Sequence, residues 1–216
     1  MTKLNPDGTL EKHLYVPGTE PEEAEALAQQ TAFEKKVCIT GFDDEQKTEK
    51  WIAEPFCKEN RMLIFGGGHV GRALVPVLAT VGFRVVMYDN REELAKKENY
   101  PMASEVIFGS FSDIFGKVAL TANDYAVVMT PGHQADYEIL SQVLGSDATY
   151  IGCIGSRTKV AKTRERLKCD GYTEEDIARV HAPIGLPILA ETPEEIAISI
   201  AAEMIEHRAR LAGQRH

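Results

Sequence analysis

One stretch, residues 61–91, narrows the possible folds more than any other. It reads Arg61-Met-Leu-Ile-Phe65, then Gly66-Gly-Gly-His-Val-Gly71, then a run of helical spacing, then Arg84–Asp89. The first piece is a short apolar run bounded by glycines, the pattern of a strand buried on both faces. Gly66, Gly68 and Gly71 satisfy G-x-G-x-x-G. Val70, Leu74, Val77, Leu78 and Val81 then fall at helical spacing, Gly82 ends that helix, and a β-branched strand, Arg84–Tyr88, closes on Asp89. Dinucleotide binding needs this order of strand, glycine turn, helix, strand and acid. Gly66 permits the tight turn, Gly68 leaves room for a pyrophosphate at the backbone, and Gly71 lets the helix approach the strand. The free N–H groups and the helix dipole face the anion, and Asp89 is placed to accept from ribose hydroxyls. The rival reading is a tight turn that has lost its ligand. Pro76 inside the helix costs roughly 3 kcal/mol and predicts a kink.

Downstream, strands and helices alternate. The pattern predicts a helix over Arg91–Asn99, strands at Glu105–Gly109, Tyr125–Thr130 and Tyr150–Ile154, and helices over Gln134–Leu144 and Ser156–Cys169. Phe111–Leu120 is ambiguous. Thr173-Glu-Glu-Asp176 and Thr192-Pro-Glu-Glu195 each open a helix with a capping box. The last helix, to about Leu211, carries Ile196, Ala197, Ile200, Ala201, Met204 and Ile205 on one stripe, with Ile198 and Ala202 outside it. That surplus of apolar surface predicts contact with a second copy, a two-fold homodimer. The architecture expected for residues 61–216 is α/β, a Rossmann-like doubly wound parallel sheet.

Residues 1–60 are read as a small N-terminal appendage that buries little by itself. Residues 1–21, rich in proline and glycine, look like an irregular lead-in; a helix follows from Pro21, with acids at its start and Lys35 and Lys36 at its end. Val37–Thr40 suits a short strand and Asp43–Lys50 a charged surface segment.

Composition excludes several classes. With 24 basic and 33 acidic residues the net charge of −9 argues against general nucleic-acid binding. Cys38, Cys57, Cys153 and Cys169 form no C-x-x-C pair, which fits neither a disulfide framework nor a zinc site and suits a reducing cytosol. No apolar run has the length of a membrane span, and the polar start lacks a signal-peptide core, so a cytoplasmic protein is expected.

In a doubly wound sheet the ligand crevice lies beyond the carboxyl ends of the strands. Three loops should converge there: Gly66–Gly71, Thr130–Asp136 and Gly155–Lys159. The first offers Gly66, Gly67, Gly68, His69, Val70 and Gly71, with Asp89, Asn90 and Arg91 at the end of the next strand. The second offers Thr130, Gly132, His133 and Asp136, and the third Gly155, Ser156, Arg157 and Lys159. His133 either donates to an anion and moves a proton near neutral pH, or caps the next helix. His69 points at the ligand or at solvent. The basic run Arg157–Lys168, opposed only by Glu165, reads as a second phosphate site at its start and a solvated or partner-facing surface beyond. Cys153 reads as buried packing rather than a nucleophile. No metal-ligand cluster or Ser-His-Asp triad is visible.

From Trp51 onward the chain resembles the XdhC/CoxI family, accessory proteins of molybdenum hydroxylases such as xanthine dehydrogenase. The resemblance rests on Glu54-Pro55, Leu63-Ile-Phe-Gly-Gly-Gly-His-Val70, Gly82-Phe-Arg-Val-Val86 and Tyr88-Asp-Asn-Arg91. It continues through Val127-Val-Met-Thr-Pro-Gly-His133 with Asp136, Tyr150-Ile-Gly-Cys-Ile-Gly-Ser-Arg157 with Lys159, His181-Ala-Pro-Ile-Gly-Leu186 and Glu191–Ser199. It implies binding of molybdenum cofactor (molybdopterin), help in its sulfuration by a cysteine desulfurase, and delivery to the apo-hydroxylase, so a chaperone rather than a catalyst. Two departures stand out. The family's N-terminal domain, with its glycine-flanked cysteine motif, has no clear counterpart in residues 1–60, and Pro131-Gly132-His133 replaces the family's usual His-Gly-His. The residues by themselves leave open an NAD(P)-dependent oxidoreductase with His133 as acid/base, or a nucleotide-binding redox sensor.

Overall fold

The computed structural model describes residues 1–34, 37–42, 49–54, 60–211 and 213, with backbone alone for 32–34 and 157. The expected basic helix end at Lys35 and Lys36, most of the charged segment from Asp43, Pro55 of the Glu-Pro motif, Cys57 and the side chain of Arg157 lie outside the described residues. The chain divides into two compact units, Met1–Lys58 and Glu59–His216.

The first unit, expected as a small appendage that buries little by itself, is a small antiparallel sheet with one helix. Strands β1 (Thr2–Leu4) and β2 (Leu10–Lys12) form a hairpin where an irregular lead-in was expected. Asp7 makes the turn, its carboxylate accepting from the Thr9 N–H at 2.9 Å, and Gly8 takes a φ of +85°. After helix α1 (Glu22–Glu34), β3 (Cys38–Thr40) and β4 (Lys50–Ala53) complete a four-stranded antiparallel sheet in the order β2-β1-β4-β3. Met1, Ala24, Leu27, Ala28, Cys38, Trp51 and Ala53 form a core of its own. Three-residue strands are too short for an alternation to register in sequence, so pattern reading underestimates this unit.

The second unit is a six-stranded, wholly parallel sheet. Its elements are β5 (Arg61–Phe65), α2 (His69–Thr80), β6 (Arg84–Asp89), β7 (Glu105–Phe108), β8 (Asp124–Val128), α3 (His133–Val143), β9 (Tyr150–Cys153), α4 (Arg157–Cys169), α5 (Glu174–Ala178), β10 (Val180–His181) and α6 (Pro193–Leu211). Strand order is β10-β9-β8-β5-β6-β7. Counted from β5, this is the 3-2-1-4-5-6 order of the Rossmann fold, and it reverses between β5 and β8. Alternate residues of each strand serve opposite layers. Met62, Ile64, Val85, Met87, Tyr125 and Val127 face the layer of α2 and α6, whereas Leu63, Phe65, Val86, Tyr88, Ala126 and Val128 face the layer of α3 and α4.

One expectation is corrected. Residues Arg91–Asn99 form turns and one 3-10 turn, Lys97–Asn99, instead of a helix. The Asn99 amide donates to the carbonyls of Glu93 (3.0 Å) and Leu94 (3.2 Å), and such local bonds compete with a helical ladder. Residues 111–120 form turns, and β10 was not anticipated. Helix α2 continues through Pro76. Both capping boxes form. Thr173 and Asp176 bond reciprocally, and Glu195 accepts from Thr192 N–H at 3.0 Å while Thr192 Oγ1 accepts from Glu195 N–H at 3.2 Å.

Buried charge joins distant segments at the amino end of the sheet. Arg61 Nε and Nη2 donate to the Asp124 carboxylate at 2.9 and 2.8 Å, and Thr121 N–H adds a third bond at 2.5 Å. Burial would raise the pKa of Asp124, but the Arg61 fork and the Thr121 N–H outweigh it, and the net shift is downward. A carboxyl depressed on folding contributes stability that is present above its unfolded value, about 3.9, and lost as pH falls through the folded value. Asp124→Asn is therefore expected to cost about 2–4 kcal/mol at neutral pH, with the gap from wild type closing below about pH 4, as read by urea unfolding at both pH values. Because each unit has its own core, Trp51→Ala should lower the stability of residues 1–58 by about 3 kcal/mol. Limited proteolysis followed by mass spectrometry should then cut that unit first and spare the second.

Candidate functional site

The turn between β5 and α2 is held by close packing that glycine alone permits. Gly66 has φ +113°, and a Cβ there would stand 2.7 Å from the Met129 carbonyl oxygen. A Cβ on Gly71 would stand 2.5 Å from the Gly66 carbonyl oxygen, so its absence lets α2 sit against the turn. Gly68 differs from both. It caps α2 with φ −71° and ψ −166°, a conformation open to any residue, and a Cβ there would meet nothing within 4 Å. No side chain caps α2, and its first turn contains no acid. The leading N–H groups of a helix lack intrahelical partners, and here they border open space.

Asp89 is fully buried and does not offer its carboxylate to the open side. Oδ2 accepts from Gly67 N–H at 2.6 Å and Arg91 Nη2 at 2.7 Å, while Oδ1 accepts from Arg91 N–H at 2.9 Å and Arg91 Nε at 2.8 Å. Burial pushes its pKa up, but the Arg91 fork and the Gly67 N–H push it further down, so the net shift is below the ordinary carboxylate value. Tyr100, also buried, donates its hydroxyl to the Gly67 carbonyl at 2.6 Å. Burial, reinforced by the Asp89 charge, raises its pKa. The acid at the end of β6 thus pins the glycine turn and holds the Arg91 guanidinium.

A cleft of about 520 Å³ opens over this turn at the carboxyl ends of β5 and β8, where the strand order reverses. Gly67, Gly68, His69, Val70, Gly71, Arg72, Arg91 and Leu94 line one side, and Met129, Thr130, Pro131 and Ile154 the other. Its size falls in the usual range for small-molecule sites, roughly 300–1,000 Å³. Among the described residues the lining holds two arginines and a histidine and no carboxylate. Of the expected residues, Gly67 to Gly71, Arg91 and Thr130 meet here. Gly66 lies beneath the turn, Asp89 behind it, and Asn90 is exposed outside the lining. Arg72, Leu94, Met129, Pro131, Ile154 and the supporting Tyr100 were missed. Only Arg72, one turn into the phosphate helix, carried a local signal.

The other two loops are tied to each other. Asp136 is fully buried; its Oδ1 accepts from the Thr130 hydroxyl at 2.5 Å, and its Oδ2 pairs with Lys159 Nζ at 2.5 Å. Lys159 Nζ also donates to the Thr130 carbonyl at 3.1 Å. Ser156 caps α4 by accepting from Lys159 N–H at 3.3 Å. Gly155, Ser156 and Lys159 therefore brace the far wall without lining the cleft. Gly132 and His133 begin α3, His133 exposed, and neither lines the cleft. Two further bases of α4 are used locally: Arg166 stacks on Tyr137 and bonds Gln134, and Lys168 pairs with Glu174. Burial, aided by the Asp136 charge, pushes the Cys153 thiol up to about 12, which keeps it protonated and unreactive near neutral pH. Among the described residues no cluster of His, Cys, Asp and Glu is arranged to hold a metal ion, and no helix is long and apolar enough to cross a membrane.

Comparison with known proteins matches this unit. A family model described as the XdhC Rossmann domain covers residues 62–204. The chain is 33% identical over 147 residues to an uncharacterized protein, YqeB, of Escherichia coli K12, spanning 68% of this chain and 27% of that protein. It is 32% identical over 152 residues to a probable xanthine dehydrogenase component of Bacillus subtilis, spanning 70% of this chain and 44% of the relative. A crystal structure described as a xanthine dehydrogenase from Bacillus halodurans superposes with a TM-score of 0.63 at 32% identity, over 77% of this chain and 48% of that one. The chain thus spans less than half the length of each of these relatives. The family match takes in most of the sequence and the whole of the cleft, and the chain belongs to the XdhC family.

Proposed function

We propose that this protein is an accessory factor for a molybdenum hydroxylase of the xanthine dehydrogenase type, holding molybdenum cofactor or a related anionic nucleotide in the Gly68 cleft. Membership of the XdhC family supports the client class, as do the names of the Bacillus relatives. The observation that carries the ligand class is Gly68, bare by conformation and by contact, beside a cleft lined by Arg72 and Arg91 and, among the described residues, by no acid. Such a lining fits the phosphate of a pyranopterin or of a nucleotide. Gly68, His69 and Val70 would hold that phosphate through backbone N–H groups, and Thr130 and Pro131 would bound the ligand on the other side. The bound cofactor is cargo whose oxidation chemistry belongs to the client hydroxylase. Nothing in the chain need react with it, and His133, outside the lining, is given no chemical step. A cysteine desulfurase that sulfurates the cargo and a cytoplasmic location belong to the same reading. So does a two-fold dimer through α6, for which the support is exposure of Ile198 (54%) and Ile205 (40%) on that helix.

Calorimetric titration with molybdenum cofactor, NAD and NADP tests the site. Gly68→Val should weaken binding at least tenfold while leaving the thermal midpoint within a degree or two, since its Cβ meets nothing. Unchanged affinity would remove the cleft from the proposal. Hydride transfer from a bound nicotinamide to a small substrate would replace the accessory role with an oxidoreductase. Light scattering should give twice the chain mass, and Ile198→Glu should return the mass of one chain.

A further inference from the structure

We propose that the β6 end of the cleft receives a second anionic group of the ligand, such as an adenosine 2′-phosphate, instead of the neutral ribose diol that an acid at this position ordinarily binds. The proposal rests on the reading of the cleft as a phosphate site and specifies what lies at its other end.

In a dinucleotide fold the acid ending the second strand accepts from ribose hydroxyls, and a nearby arginine accommodates a 2′-phosphate. Here the acid is spent. Each oxygen of Asp89 already receives two N–H groups, from Gly67 and Arg91, and the carboxylate has no exposed surface. To reach a ribose it would have to release the Gly67 N–H and so loosen the turn on which the first phosphate depends. The group that does line the cleft is Arg91, with its side chain 35% exposed. Its Nε and Nη2 are anchored on Asp89, which fixes the guanidinium plane and leaves its other N–H donors uncommitted to that fork. A buried acid that orients an arginine makes Asp89 a positioning residue and Arg91 the ligand-facing one.

Arg72 extends the positive wall. It lines the same cleft one turn into α2, bonded through Nη2 to Asn99 at 3.3 Å. The acids nearest in sequence, Glu92 and Glu93, are exposed and absent from the lining. Of the two guanidinium groups, Arg91 is backed by Asp89 on the side away from the cleft, and the donors left to both gain little from a neutral diol and favour a charged group that can form forked bonds. The chemistry required is a ligand with two separated anionic groups, one at the start of α2 and one at Arg91. A phosphorylated ribose meets that requirement, and so does a pterin phosphate with a second anionic centre.

The test uses adenosine 5′-monophosphate and 2′,5′-ADP, which differ only by the 2′-phosphate, in calorimetric titrations of the whole protein, with NAD and NADP as a second pair. The 2′-phosphorylated member of each pair should bind at least tenfold more tightly, and that advantage should shrink as salt is raised from 50 to 500 mM. In Arg91→Ala the members of each pair should become equal. Equal binding of both members by the wild-type protein, or an advantage that survives in Arg91→Ala, overturns the proposal while leaving the phosphate cradle intact. Failure of all four compounds to bind removes the nucleotide reading of the cleft, and this inference with it. The wild-type comparison and its salt dependence decide the matter even if Arg91→Ala does not fold.

Discussion

The Asp89 carboxylate, fully buried at the carboxyl end of β6, receives hydrogen bonds from two segments at once: the glycine turn and the residues after β6. Leaving such a charge unpaired in the interior costs several kcal/mol, and leaving one buried N–H unpaired costs about 1–3 kcal/mol. The turn is therefore fixed before any ligand arrives. Gly66 N–H bonds Tyr88 O at 2.9 Å, Gly67 N–H bonds Asp89, and Gly67 O accepts from Tyr100. A site already ordered does not have to be ordered by its ligand, which removes one of the ordinary penalties of binding.

That pinning also explains why one helix end of three remains for an anion. Helices α2, α3 and α4 all begin at the carboxyl edge of the sheet. At α4, the Ser156 side chain takes the Lys159 N–H from within. At α3, Gly132 is bare, but Asp136 places a buried carboxylate in the first turn, where it offsets the dipole and is itself held by Lys159. At α2 there is neither a capping side chain nor an acid, and the neighbouring carboxylate, Asp89, is turned onto Gly67 and Arg91. The difference between a structural helix start and a binding one is thus a matter of three or four side chains.

The strands of the second unit were legible because their apolar runs and bounding glycines are local signals. Both capping boxes were legible because the cap and its partner lie three residues apart. The helix expected over Arg91–Asn99 shows the limit. Its residues favour helix individually, yet Asp89 captures the N–H and guanidinium of Arg91, and Asn99 captures carbonyls of Glu93 and Leu94, so side-chain bonds override propensity. In the cleft, the glycines could be placed by spacing. The direction in which Asp89 points could not, nor could Tyr100 under Gly67 or Met129 and Ile154 across the cleft, because these are contacts between segments far apart in the chain.

A net charge of −9 sits uneasily with an anion site until the distances are considered. Surface carboxylates act on a ligand through salt solution, where the Debye length is about 8 Å at physiological ionic strength. Inside, the carboxylates of Asp124, Asp136 and Asp89 are each bonded to a cation, and Glu203 is bonded to Tyr150 and paired with His181. The field a ligand meets in the cleft is therefore set by the nearest groups, the α2 amides with Arg72 and the free donors of Arg91, whose charge Asp89 partly offsets from behind. Acidity spread over the surface disfavours polyanions such as nucleic acid, which must approach the whole surface. A small anion that fits within the cleft experiences the local charges and little of the rest.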